Sequence, residues 1–455
     1  MAIKHLPVIG AATGLAVALG TVAAVGATGD DTQKAAPASA PSAALGKAAK
    51  PGDFNGDGRP DTAGTTQPGN PGGPDKRPVG MINVVYTGAK GPSPVGRQVL
   101  TPAALGFRKP EAYSATAPLS ADFDRDGYAD LVVAARDVPK SKVVIVYGGP
   151  KGLTGRKVVL TTQTVGTQFE GDSMAVGDFN GNGRPDIAVL GSGHTFVTFM
   201  DPVKRAVRGV TTTVKAPNSK GLYQLQAADF NGDHRDDLVL VVAKDSGDGD
   251  DIPNWGELRL GSPKGLGPGK VYGKKGLGFT AATGDVNGDG KADLVNEDRP
   301  ANVLTRKLAV RLGTKTGFGP VKTITLGRDL GGHMSLADVN GDGKADLATE
   351  VLSNAVAVLF GAKGGLTTKG MQALGRKTPG APKGVFARGY VLADLDGDRL
   401  ADLTAGGVPP GDSVGTLNFF RGTRSGITMR GVVTLNGKQL DLGAWQIQLG
   451  AGLMD

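Results

Sequence analysis

Cysteine does not occur among these 455 residues. That excludes disulfide staples, thiolate metal sites and a cysteine nucleophile. Histidine is scarce, four in all, and neither His194, His234 nor His333 stands at zinc-site spacing from another. Aromatic residues make up 5% of the chain, too few to offer a stacking platform to nucleic acid. No Gly-x-Ser-x-Gly elbow and no phosphate loop occurs. Gly-Asp-Ser stands at 171–173 and 411–413, but without the downstream Asp-x-x-His that an esterase would need. Long helical periodicity is missing, and apolar runs beyond the first 27 residues are short. What abounds is glycine, 74 residues, with 28 prolines. This is the composition of an all-β chain with many turns.

The first 27 residues form their own segment. Lys4 is followed by an apolar and small-residue run from Leu6 to Ala27 that ends Val25-Gly26-Ala27. The pattern fits a secretory signal peptide cut after Ala27; the run is also long enough to be retained as an anchor. Residues 28–50, rich in Ala, Pro, Ser and Lys, read as a flexible linker. A secreted, extracellular protein is expected, with no membrane span after cleavage.

One acidic loop recurs seven times as Asp-x-Asn/Asp-x-Asp/Asn-x-x-x-Asp. Position 1 is Asp53, Asp122, Asp178, Asp229, Asp285, Asp338 and Asp394. Position 3 is Asn55, Asp124, Asn180, Asn231, Asn287, Asn340 and Asp396. Position 5 is Asp57, Asp126, Asn182, Asp233, Asp289, Asp342 and Asp398. Position 9 is Asp61, Asp130, Asp186, Asp237, Asp293, Asp346 and Asp402. Three side chains on one side of a tight turn, the carbonyl of position 7 and the carboxylate of position 9 make an oxygen set suited to Ca2+. The spacing resembles the start of an EF-hand loop, but the Glu at position 12 is missing and strands flank the turn. All 28 residues are candidate calcium ligands, in up to seven sites. The loop at Asp178, with two carboxylates, is the weakest. His234 and Arg399 stand where position 6 is otherwise glycine, which strains those turns.

The loops hold about half of the 43 acidic residues, while the net charge is +8. With the loops neutralised by cations, the remaining surface is strongly basic, and an anionic cell-wall polymer is an expected neighbour.

A period of 51–69 residues marks one repeated unit that cannot bury its apolar face alone. Each unit reads as four strands, A to D, with the acidic loop between A and B. After strand C comes Gly-x-x-x-Gly followed by Leu, Phe or Ile, as at Gly148–Leu153, Gly261–Leu266, Gly313–Phe318, Gly361–Leu366 and Gly422–Ile427. Its glycines are expected at positive φ. The first unit has a shortened form, 88–91, and the third has Met200-Asp201-Pro202 instead. Repeated four-stranded units make a β-propeller. The expectation is a seven-bladed β-propeller over 51–455, a monomer. Its closure is expected from the C-terminal run 443–450, which would supply strand A of the first blade and leave no open edge.

Asp285-Val286-Asn287-Gly288-Asp289-Gly290-Lys291-Ala292-Asp293-Leu294, with Leu312-Gly313 and Gly317-Phe318, resembles the FG-GAP/VCBS repeat of integrin α-subunit heads and of secreted bacterial proteins. The resemblance covers about residues 51–455. It implies a non-catalytic extracellular scaffold for binding or adhesion, with a protein or glycan ligand and calcium in the A–B loops. The B–C insertions at 64–78 and 245–254 would then lie on the opposite, ligand-binding face. Lys90, Lys151, Lys264, Lys315, Lys363 and Arg424, in the C–D turns, would ring the calcium face. The alternative is a carbohydrate-active propeller enzyme such as a polysaccharide lyase or hydrolase, which needs a carboxylate pair or a basic-Tyr site in the central pocket. Trp255 and Trp445 read as core.

Overall fold

The computed structural model describes residues between 47 and 439, with gaps at 66–81, 113–117, 138–141, 162–173, 202–205, 216–220, 244–254, 299–306 and a few shorter stretches. The segment before residue 47, the run 443–450, Lys90 and nearly all of both B–C insertions lie outside the described residues, as do Gly171 to Ser173 and Asp412 and Ser413.

Residues 45–455 form one unit, an all-β propeller. Apolar β-branched residues alternate along its short strands, and turn glycines separate them. Six repeats give sheets of at least four antiparallel strands in the order A-B-C-D. In the fifth these are Leu277–Gly284, Asp293–Asp298, Lys307–Arg311 and Lys322–Thr325. The first repeat gives a three-stranded sheet of Thr62–Thr65, Ile82–Gly88 and Gly91–Leu100. The expectation of seven four-stranded blades is therefore corrected to six complete blades and one three-stranded sheet among the described residues. Residues 47–52, which precede the first acidic loop, form no strand there.

Strand A of the second repeat is split into Pro110–Ala112 and Leu119–Ala121, both paired with Asp130–Asp137. The only helix among the described residues is one turn, Pro102–Leu105. Thr101 caps it by accepting the Ala104 N–H at 3.2 Å, and Gly106 ends it at φ 86°.

The core lies between sheets. The apolar residue at loop position 2 is buried in every repeat: Phe54, Phe123, Phe179, Phe230, Val286, Val339 and Leu395. Each wedges between its own sheet and the next. Phe54 packs with Leu131 and Val144 of the second repeat, and Phe230 with Leu294 of the fifth. Leu395 of the seventh repeat packs with Val85 of the first, so the last sheet meets the first. Arg97 also donates to the Gln439 carbonyl at 2.8 Å across this junction.

Strand A residues of six repeats line a central cavity of about 250 Å³. Leu119, Met174, Leu225, Ala281, Met334 and Leu392 contribute to it, with Ser120, Gln226, Thr283 and Ser335 as its polar members. Among the described residues, none that lines it is charged. Two of the hydroxyls are already committed: Ser120 accepts the Gly52 N–H at 2.8 Å and Ser335 the Leu392 N–H at 3.0 Å.

Candidate metal centres

The acidic loops are built from nested hydrogen bonds. In the first, second, third, fourth, fifth and sixth loops, the position-1 carboxylate accepts the N–H of position 5 at 3.0–3.3 Å. Its second oxygen accepts the N–H of position 6 at 2.7–3.0 Å. The position-5 side chain in turn accepts the N–H of position 7, as Asp289 does from Lys291 at 3.0 Å and Asp398 from Leu400 at 2.8 Å. Each bond is a local side-chain-to-backbone closure of the kind Asp and Asn favour.

The curl needs left-handed backbone at positions 4 and 6 in all seven loops. Glycine supplies it except at Arg125 (φ 58°), His234 (φ 66°) and Arg399 (φ 73°). The expected strain at His234 and Arg399 is therefore present in the backbone, and Arg125 adds a third case.

Position 9 plays a different part. Asp130, Asp186, Asp237, Asp293 and Asp346 have no exposed surface, and Asp61 and Asp402 very little. In six repeats one oxygen accepts the position-2 N–H at 2.9–3.1 Å. The other accepts the N–H at the end of strand C at 2.8–2.9 Å, from Thr87, Gly148, Gly261, Gly313, Gly361 and Gly422. The carboxylate thus ties the loop to the C–D turn. In the third repeat, which lacks that turn, strand C runs through His194–Asp201 and returns as Ala206–Lys215. There Asn180 donates to Asp186 at 3.3 Å.

Burial disfavours the charged form of these carboxylates. It pushes Asp130 up to about 8, Asp61, Asp237 and Asp402 up to about 7, and Asp293 and Asp346 up to about 6, against the pull of the two backbone donors. A bound divalent cation would supply the missing counter-charge, and an all-oxygen donor set suits a hard ion.

Among the described residues, carboxylate oxygens converge in threes in two loops. Asp122, Asp124 and Asp130 each place one carboxylate oxygen within 4.8 Å of the others, and so do Asp394, Asp396 and Asp398. These are the loops with four carboxylates. They are also the loops without a basic residue at position 7, which is Tyr128 and Leu400 there. In four others that residue closes on the position-5 carboxylate: Arg59 on Asp57 at 3.8 Å, Arg235 on Asp233 at 3.2 Å, Lys291 on Asp289 at 3.3 Å and Lys344 on Asp342 at 3.2 Å. The alternation of position 7 is visible in the sequence, but only the structure shows the ion pair it makes. Within the second loop, Asp126 lies outside the converging group and faces Arg156 at 3.7 Å.

The C–D turns pack onto the loop of the preceding repeat. Gly149, Ser262 and Ala362 donate to the carbonyls of Phe54, Phe179 and Val286 at 3.0–3.1 Å. Only half of the turn glycines answer to positive φ. Gly152, Gly265, Gly317, Gly365 and Gly426 do. The first glycine of each turn is instead demanded by close approach: a Cβ on Gly148 would lie 2.2 Å from the Ala129 carbonyl oxygen, and on Gly313 2.3 Å from that of Ala292. Lys151, Lys264, Lys315, Lys363 and Arg424 are exposed in these turns, beside the acidic loops.

Fold and site together define a β-propeller whose A–B turns are acidic loops. Residues 122–189 match the family profile of the FG-GAP-like repeat, and the chain carries that repeat. A stretch of 144 residues is 32% identical to phosphatidylinositol-glycan-specific phospholipase D of Mus musculus, covering 27% of this chain and 17% of that enzyme. The Bos taurus enzyme matches over 146 residues at 32% identity, with the same coverage. The chain spans about a sixth of the length of these relatives. Solved structures with similar folds include the Dos1 propeller (11% identity, 83% of this chain and 82% of that one, TM-score 0.42). A lectin of Agrocybe aegerita that recognises non-reducing terminal N-acetylglucosamine is another (15%, 65% and 88%, TM-score 0.32). A third is the rhamnogalacturonan lyase PL11 of Bacillus licheniformis (14%, 63% and 58%, TM-score 0.34).

Proposed function

We propose that this chain is a secreted, calcium-stabilised propeller that binds an extracellular protein or glycan and performs no chemistry of its own. The observation that carries the reading is where the carboxylates are. About half of them are spent in the A–B loops, tied into turn hydrogen bonds, while the described residues lining the central cavity carry no charge. A glycoside-cleaving site needs paired carboxylates or an equivalent acid and base at its centre.

When bound, calcium would neutralise the loop carboxylates and tie strand A to strand B in each repeat. Position 1, position 3 and position 5 side chains would hold it, with position 9 behind them. The exposed basic residues of the C–D turns, set beside neutralised loops, favour an anionic polymer as ligand. The similarity to phosphatidylinositol-glycan-specific phospholipase D spans too little of those enzymes to carry their activity here.

A glycan array run together with a turnover screen on plant and bacterial polysaccharides tests the reading. Saturable binding without product supports the scaffold. Product release would replace it with the carbohydrate-active enzyme. N-terminal sequencing of protein recovered from the culture medium tests secretion, and a mature chain beginning at Thr28 is expected.

A further inference from the structure

Five of the seven junctions between repeats share one backbone bond. The N–H of loop position 8 donates to the position-1 carbonyl of the preceding loop: Ala129 to Asp53, Asp236 to Asp178, Ala292 to Asp229, Ala345 to Asp285 and Ala401 to Asp338, at 2.7–3.1 Å. In the first and third loops position 8 is proline, Pro60 and Pro185. Proline has no N–H to give, so the junctions between the seventh and first repeats and between the second and third cannot make this bond.

The same two junctions differ in other ways. At four of the other five junctions strand D sends a polar side chain to the C–D turn of the next repeat. Gln98 donates to Leu153, Lys270 to Thr316, Lys322 to Gly364 and Gln372 to Ile427. At the equivalent strand-D register the second repeat has Val158 and the seventh has Val433. The repeats that follow them, the third and the first, are those without the full glycine turn.

Arginine enters at both places. Arg184, beside Pro185, donates to the Asp124 carbonyl at 3.4 Å, and Arg125 donates back to the Gly183 carbonyl. Arg59, beside Pro60, donates to the Asp396 carbonyl at 3.3 Å. The two residues whose carbonyls receive these guanidiniums are the two position-3 aspartates of the chain; the other five loops have asparagine there. The extra negative charge stands where an extra positive charge arrives, so a loop can keep a divalent cation with a guanidinium beside it.

We propose that these two junctions are side-chain locks, Arg184 on the Asp124 loop and Arg59 on the Asp396 loop, and that the ring opens there first when divalent cation is withdrawn. The proposal rests on the calcium reading above. Three carboxylate oxygens converge in each of these loops and repel one another once the cation leaves; the further cations beside them, Arg156 on Asp126 and Lys50 and Arg421 on Asp394 and Asp396, are solvent-exposed at 3.6–3.8 Å and offset this only in part. The other five junctions keep their backbone bond.

Hydrogen exchange of the full chain, read by mass spectrometry with calcium and with excess EDTA, tests this. Exchange at 119–137, 174–191, 53–65 and 391–408 is expected to rise at least about tenfold more than at 285–298 and 346–362. An equal rise at every junction overturns the locks and leaves the calcium reading standing. No rise anywhere overturns both. Pro185→Ala returns the missing donor, and should slow the EDTA-induced exchange at 174–191 by roughly five- to tenfold, the weight of one backbone hydrogen bond, without changing 53–65. Arg184→Gln should do the opposite at 174–191. Failure of both variants to act at that junction alone also overturns the proposal.

Discussion

Asp130 and Gly148 stand eighteen residues apart in the chain, and the Gly148 N–H donates to the Asp130 carboxylate at 2.9 Å, where both are buried. The bond locks the start of strand B to the end of strand C. It also brings the Gly148 α-carbon against the carbonyls of Ala129 and Phe54, with 2.2 and 3.0 Å left for a Cβ.

Gly148→Ala should therefore destabilise the fold by about 2 kcal/mol or more, since backbone must move to admit the methyl group. Gly155→Ala, a few residues on, meets nothing within 4 Å and should be neutral within about 0.5 kcal/mol. Urea unfolding of the two variants gives the comparison. Equal effects would mean that the close approach is not what selects glycine.

Chelation should lower the midpoint of thermal unfolding, and added calcium should restore it. A site held at a hundredfold its dissociation constant contributes about 2.7 kcal/mol. Titration calorimetry should find the tightest binding lost in Asp122→Ala and Asp394→Ala, whose loops gather three carboxylate oxygens each. Asp178→Ala should change little, its loop having only two carboxylates. An unchanged midpoint in EDTA would remove calcium as the staple of this cysteine-free chain.

His234→Gly should stabilise. His234 holds φ 66°, a left-handed conformation that costs a side-chain-bearing residue about 1 kcal/mol. The variant keeps the backbone N–H that Asp229 accepts at 2.8 Å. Calcium affinity should be unchanged while the urea midpoint rises. A lower midpoint would show that the imidazole has contacts worth more than the strain.

Tyr86 gives a pH signature. Its hydroxyl donates to Gln98 at 2.6 Å and accepts the Leu153 N–H at 2.8 Å, and burial pushes its pKa from 10.0 up to about 12. A raised folded value favours the neutral form in the fold. Its contribution is therefore complete below pH 10 and is lost as pH climbs from about 10 to about 12. Tyr86→Phe should be less stable near neutrality, and its stability should fall less steeply through that window. Parallel alkaline profiles for the two proteins would refute the assignment.

Much of the repeat was legible because its constraints are local. Asp and Asn at positions 1, 3 and 5 close hydrogen bonds within a few residues, and positions 4 and 6 need left-handed backbone, so glycine marks them. The unit of four strands followed from the same punctuation, and six repeats keep it. The first repeat does not among the described residues: its linker-like lead-in gives no strand A. Position 9 was legible as a candidate ligand carboxylate but not as a buried tie to strand C, since its partner stands 15–26 residues away. The first turn glycine was misread as a conformational need, when carbonyls of its own acidic loop and of the preceding repeat impose it.

By itself the sequence determined the repeat, its loop chemistry and its all-β class, because each is written in residues that touch one another along the chain. Only the tertiary structure decided how the repeats are joined. Whether a junction is held by a backbone N–H or by an arginine depends on which residue of one repeat faces which carbonyl of the next. Proline at 60 and 185 looks like any turn residue until the preceding loop is seen beside it, lacking the donor that the other five receive.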